Sequence, residues 1–553
     1  MKRAYRMRLL ILGILVVFSL VGLTCALAHD HTLHKFLHSQ RRNEKTNTAV
    51  DSNRAASDLD LSMCELTVKL IDHDLKKSLP GLIRITDVKQ DKPLIIKELI
   101  KREHNWFAMP DVARISVPQT TLTIEALHGL ETELTTKEID LTDKEKSTIE
   151  LSLRRFYDAS SKRLRSGNTH LHLMNLTHAE ADRYLRVVPK SDDLDLVFLS
   201  HLRRIPDERN YISNGIVENS LAGGELARLS QDGVLFRPGE EHRHNFGRGG
   251  EGYGHVMFLD IVKLIRPVSI GPGIMREGTD GIPIQRGIKE ARSDGASVVW
   301  CHNTFGFEDV PNWMEGLLDA QNIFDGGNHG SYKDTFYRYL NLGMKVPFST
   351  GTDWFIYDFS RVYVPVDGEL TSKKWLTQLA AGRSFITNGT FLEFEANEAQ
   401  VGDTISLKEP DTIKIKGRGE GRTNFKQLQL VFNGKVVATT ESKKNDGHFA
   451  SEMKHTLTVD QPGWITLRIP LEAGNNEFGK PMFAHTSPIY IEIDKKRIFQ
   501  PEIAKQLIGE IEKNIKTIKE KSKFADEEER MAVLQVHRKG IGVLRNKIAE
   551  NQQ

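Results

Sequence analysis

His170 and His172 stand one residue apart in the run "GNTHLH". On a strand, alternate side chains share a face, so both imidazoles would project together. Neutral imidazole nitrogen suits a borderline divalent cation such as zinc, manganese or iron. Carboxylate oxygen completes such a site and offsets its charge. More residues of these types sit where apolar runs end. His201 follows "LVFLS", Glu241 follows "LFRPGE", His255 precedes "VMFL", His302 follows "VVWC" and Asp353 follows "FSTGT". Each one alone reads as an ordinary hydrogen-bonded loop residue. The repetition at separate strand ends is what argues for convergence. The set holds more donors than one tetrahedral zinc takes, so two ions are expected, within a range of one to three. Two cations roughly 3.5–4 Å apart would ionise a shared water and clamp the charge developing on a phosphoryl or carbonyl group. His242 and His244 flank Arg243 just beyond Glu241. They are expected to move protons, because imidazole titrates near neutral pH. Arg243 is expected to hold an anionic substrate by forked hydrogen bonds. Glu240 competes with Glu241 for the ligand position, since both follow Gly239.

These residues can meet only if the elements carrying them share a rim. Between about 156 and 390, short apolar strands alternate with helical stretches, a pattern that predicts an α/β domain, barrel-like in form. Thr177 and Glu180 have the spacing of a capping box and predict a helix start there. "IPIQRGIKEARSDG" reads as a helix ending at Gly295, and "PNWMEGLLDAQNIFD", residues 311–325, reads as another. Residues 60–155 and 391–495 alternate apolar and polar positions and predict β-sandwich-like flanking domains. In residues 496–553, Ile503, Leu507, Ile511, Ile515 and Ile518 recur at helical spacing. They predict a tail of two helices packed on the body.

The chain has 553 residues, enough for several domains, and its 39% hydrophobic content is that of a globular protein. A formal net charge of +2 gives no argument for a nucleic-acid partner. The start is basic, then apolar from Leu9 to Leu23, then small at Ala26 to Ala28. That order predicts a signal peptide over 1–28 and a secreted or periplasmic protein, or a membrane-anchored one if the segment stays uncleaved. Residues 29–59 read as a flexible leader. Three cysteines, Cys25, Cys64 and Cys301, do not describe a disulfide-built scaffold. A Cys64–Cys301 bridge is the one pairing left after cleavage.

Taken together, the motifs resemble the PHP (polymerase and histidinol phosphatase) superfamily, in its CehA/McbA-like metallohydrolase branch. "SGNTHLHL" is similar to that branch's opening two-histidine motif. "DLVFLSH", "RPGEE", "GYGHVMFLD", "VVWCHN" and "STGTD" are similar to its later motifs, and "AGRSFITNG" to the end of its catalytic region. The resemblance covers about residues 165–390. It implies a distorted seven-stranded β/α barrel. The metal ligands would be His170, His172, His201, Glu241, His255, His302 and Asp353, with Glu241 bridging. It also implies hydrolysis of phosphoesters, with carbamate, ester or amide hydrolysis as the alternative. Two positions depart from the family pattern. Ser200 stands where an aspartate is usual, and Trp354 and Phe355 follow Asp353 where a closing histidine is usual. They imply one or two ions rather than three. The non-enzymatic alternative is a surface or carbohydrate-binding protein, for which the flanking β-rich regions speak.

Overall fold

The structure is a computed structural model that describes residues 62–204, 211–246, 252–272, 274, 278–302, 306–327, 332 and 337–551. The predicted signal peptide and leader lie outside the described residues. The architecture is multidomain, with several β-sheets and a helical C-terminal end.

The N-terminal region forms a three-stranded sheet around Met63–Asp72 and a six-stranded sheet around Gly81–Asp87 and Thr121–Leu127. Alternation decides which side chains go in. Cys64, Leu66, Val68 and Leu70 are fully buried, and they meet Ile83, Ile85 and Ile124 from the other sheet in one core. Cys64 belongs to this core and Cys301 to the next one. Both are free thiols, so the bridge left open by the sequence is not made.

The next sheet holds seventeen strands. Leu164–His172 runs parallel to Leu196–His201, which runs parallel to Leu235–His244. Gly254–Leu259 then enters antiparallel to both Leu235–His244 and Ser297–Trp300. Parallel pairing resumes through Ala320–Asn322 and Phe348–Ser349. Asp353–Trp354 lies parallel to Leu171 and His172, so the sheet returns to its first strand. Parallel neighbours need crossovers, and helices such as His178–Ser191, Ile212–Gly223 and Ile284–Ser293 lie between the strands along the chain. The Thr177 capping box forms as its spacing predicts.

One predicted helix is largely absent. Only Asp309–Met314 is helical. Gly316 takes φ +67° just beyond it, and Ala320–Asn322 joins the sheet. A left-handed glycine stops a helix, and the run after it is short and apolar enough to pair as a buried strand.

The sheet continues past Arg361–Pro365 and Phe385–Thr387 into the C-terminal β-rich region. There Gln427–Phe432 and Lys435–Glu441 form a hairpin, turned by Asn433 and Gly434 at φ +50° and +85°. Residues of this region, such as Leu430 and Trp464, share one continuous core with Val197, Val299 and Trp300. The tail is a helical pair, Pro501–Lys521 and Glu527–Glu550. Leu507, Ile511, Ile518, Val533 and Leu544 are fully buried in that core. Among the described residues no helix is long and apolar enough to cross a membrane.

Candidate metal centre

The first strand delivers His170 and His172, both fully buried. His172 Nδ1 lies 2.9 Å from the Ser200 carbonyl oxygen, and His170 Nδ1 lies 2.7 Å from Asp325 Oδ2. A carbonyl or carboxylate oxygen can only accept, so each Nδ1 carries the proton. Both Nε2 lone pairs are then left facing each other across 2.9 Å. Two lone pairs that close require a cation or a proton between them. Burial pulls the His170 pKa down, but Asp325 and Asp353 outweigh it and hold the ring well above its ordinary value.

Two carboxylates complete the cluster. Glu241 Oε2 is 3.1 Å from His172 Nε2 and 3.8 Å from His170 Nε2. Asp353 Oδ1 is 3.4 Å from His170 Nε2 and 3.8 Å from His172 Nε2. Ligand atoms held about 2.1 Å from a tetrahedral ion lie about 3.4 Å from one another, and these separations bracket that value. The four side chains are thus a buried group suited to a divalent metal.

The other oxygen of Glu241 faces different donors. Oε1 is 3.3 Å from His255 Nδ1, 3.8 Å from His302 Nε2 and 3.4 Å from Arg243 Nη1. Glu241, His255 and His302 form a second group of metal-ligand geometry. Glu241 Oε1 and Asp353 Oδ1 are buried yet accept no hydrogen bond. Buried carboxylate oxygens normally have partners, so atoms like these fit a cation. Burial raises the Glu241 pKa, but Arg243 and then the histidines overcome it and hold the carboxyl well below its ordinary range. Burial also raises Asp353, and the neighbouring histidines only partly offset it.

A third group joins His170 to Cys301 and Asp325. Asp325 also accepts from Asn322 Nδ2 at 3.1 Å. Burial pushes the Cys301 thiol up to about 12. Asp325 and Cys301 are absent from the ligand set read from sequence. Asp325 follows a strand end as the other ligands do, but its strand lies inside the stretch that reads as a helix.

The backbone is bent to deliver these groups. His302 and Asp353 have φ of +55° and +58°, conformations that cost a non-glycine residue on the order of 1 kcal/mol or more and cluster at functional sites. Gly351 has no room for a side chain, since a Cβ there would lie 2.6 Å from the His170 Cβ.

No family model matches the chain. No curated protein matches it either. Among solved structures, the crystal structure of an engineered protein is similar over 56% of this chain and 52% of its own, at 11% identity and a TM-score of 0.16. A likeness that slight carries no argument about the fold.

The other sequence-derived candidates are placed differently. Glu241 and Arg243 face the cluster, so alternation along Leu235–His244 turns Glu240, His242 and His244 away. His242 lies 3.1 Å from Glu240 Oε1, stacks on Phe258 and meets the helix at Gly287. Burial, and then Arg286, pushes its pKa down to about 3. His244 pairs with Asp280 at 2.9 Å. Neither ring reaches the cluster to transfer a proton there. His201 ends its strand as expected, but its Nε2 turns to Glu218 at 3.1 Å, and it joins none of the three groups. Of the three residues assigned substrate or proton chemistry, Arg243 alone faces the carboxylate–histidine cluster.

Proposed function

We propose that the chain is a metal-dependent hydrolase of the PHP superfamily's CehA/McbA-like kind, acting on an anionic phosphoester. One observation carries this reading: Glu241 turns its two oxygens to two different sets of donors. His170, His172 and Asp353 stand on one side, and His255 and His302 on the other. That is the arrangement of a bridging carboxylate between two divalent ions. The sheet that returns to its first strand supports reading this region as the distorted seven-stranded barrel the resemblance implies.

When bound, the ions would ionise a water near neutral pH and offset charge on the attacked group. The chain's own residues do the rest. Asp325 and the Ser200 carbonyl fix the tautomers of His170 and His172, so that Nε2 points inward in both. Arg243 lies beside Glu241 with its Nε unpaired, and its fork suits a phosphoryl group. His201 turned to Glu218, and Trp354 and Phe355 following Asp353 where a closing histidine is usual, favour two ions over three.

The test is metal analysis of the tag-free mature protein, followed by assay of aryl phosphomonoesters and phosphodiesters against carbamate, ester and amide substrates. About two transition-metal ions per chain and metal-dependent phosphoester turnover are expected. Turnover of carbamates or amides alone would replace the substrate class, because the same activated water serves either bond. A properly folded protein that takes up no transition metal would end the proposal. Export to the periplasm or medium remains part of the reading, and amino-terminal sequencing of the mature protein checks it.

A further inference from the structure

Periodicity gives the C-terminal helices a packing role alone, yet the loop that joins them makes polar contacts deep in the protein. Lys523 lies in that loop. Its backbone N–H donates to Asp280 Oδ2 at 2.7 Å, and its carbonyl accepts from the Asp280 N–H at 2.8 Å. The other carboxylate oxygen of Asp280 lies 2.9 Å from His244 Nε2, so that nitrogen carries the proton. His244 Nδ1 is then free to accept from the Tyr253 N–H, at 3.0 Å. The His244 ring stacks on the Tyr253 ring at 3.7 Å, and the Tyr253 hydroxyl donates to the Asp280 carbonyl at 2.6 Å. The second tail helix closes on the same place: a side chain at Gly281 would collide with Glu529. His244, Tyr253 and Asp280 are essentially inaccessible to solvent.

The residues gripped in this way carry the metal-ligand candidates. Tyr253 lies two residues before His255, and His244 three after Glu241. Gly254 is the register partner of His244, and His255 that of Arg243. The same segment also holds the chain beyond His302. The Gly252 carbonyl accepts from Phe307 N, the Tyr253 carbonyl from Glu308 N, and the His255 carbonyl from Cys301 N.

We infer that the C-terminal helical hairpin, acting through Asp280, positions the Glu241–His255–His302 half of the metal centre. Asp280 is a positioning residue. It touches no ligand atom, but it fixes the His244–Tyr253 stack from which His255 extends. The inference rests on the two-ion reading, and metal sites lose affinity when their supporting groups slip by a fraction of an ångström.

The experiment is stepwise metal titration of the full chain, with stoichiometry read by elemental analysis. It compares wild type, Asp280→Ala, Lys523→Pro and Lys523→Ala. Lys523→Pro removes the N–H donor. Lys523→Ala keeps the backbone contacts and serves as the neutral control. For Asp280→Ala and Lys523→Pro, the first ion is expected to bind within about twofold of wild type and the second at least tenfold more weakly. Asp280→Asn, which keeps an acceptor for His244, should recover part of that loss. Two ions of unchanged affinity in folded Asp280→Ala would overturn the inference and leave the two-ion reading standing. So would parallel loss of both ions with a lowered melting temperature, which marks general destabilisation. A wild-type chain that binds no second ion would overturn both.

Discussion

Glu241 is the residue on which the candidate centre turns. Its carboxylate is buried among four histidines and an arginine, and each oxygen meets different nitrogens. Glu241→Gln keeps the shape and removes the charge. It is expected to reduce bound metal to one ion or fewer per chain and to lower hydrolysis about 100-fold or more, read by elemental analysis beside an activity assay. Asp325 acts through His170. Without it, nothing shown fixes the His170 proton on Nδ1, and Nε2 no longer presents its lone pair reliably. Asp325→Ala should weaken metal binding by about 10–100-fold, while Asp325→Asn, which still accepts through its amide oxygen, should lose less. Competition with a chelator measures both.

At the scale of elements, alternation and strand ends explain most of what could be read in advance. The ligand candidates at 170, 172, 241, 255, 302 and 353 do come together: strands that run the same way carry most of them to one rim, and His255 joins from the start of the antiparallel strand Gly254–Leu259, where it is the register partner of Arg243. Two of the misplacements share one cause. His242 and His244 are near Glu241 in sequence, but on a strand their neighbour Arg243 has the opposite facing, and the sheet assigns the inner side to Arg243. Asp325 was hidden because Ala320–Asn322 is too short to show a period of its own. Between elements, the buried Arg102–Asp192 pair ties the N-terminal sheets to the end of the His178–Ser191 helix, with nitrogen–oxygen distances of 2.8 and 2.9 Å. Arg102→Ala leaves a carboxylate buried and unpaired, and should cost about 3–5 kcal/mol in denaturant unfolding. The double variant Arg102→Met with Asp192→Leu should cost less than the single one.

Across the whole molecule, the seventeen-stranded sheet and the tail helices share one core, so the tail and the site region are expected to unfold together. Two buried histidines give this unit a pH dependence. Burial holds His242 at about 3 and His537 at about 4, against 6.5 for an exposed ring. In each case the folded value is the lower one, so below about pH 6.5 the unfolded chain takes up protons that the folded chain refuses. Their contribution to stability is complete above that pH and is lost progressively as pH falls toward 4. In denaturant melts of the metal-free protein between pH 7 and pH 4.5, the wild-type midpoint should fall relative to that of His537→Phe, which lacks the buried imidazole.

The sequence alone determined which side chains had the chemistry for a divalent cation, and which regions were strand-rich, mixed or helical. Both depend on residue type and on periods of two or about 3.6, which are local properties. Tertiary structure alone decided that Glu241 rather than Glu240 faces the histidines and that Asp325 stands behind His170. It also decided that His201 turns to Glu218 and that a loop near the end of the chain braces the strand beside His255. Those outcomes depend on strand register and on which distant segments pack together, and no local pattern encodes either.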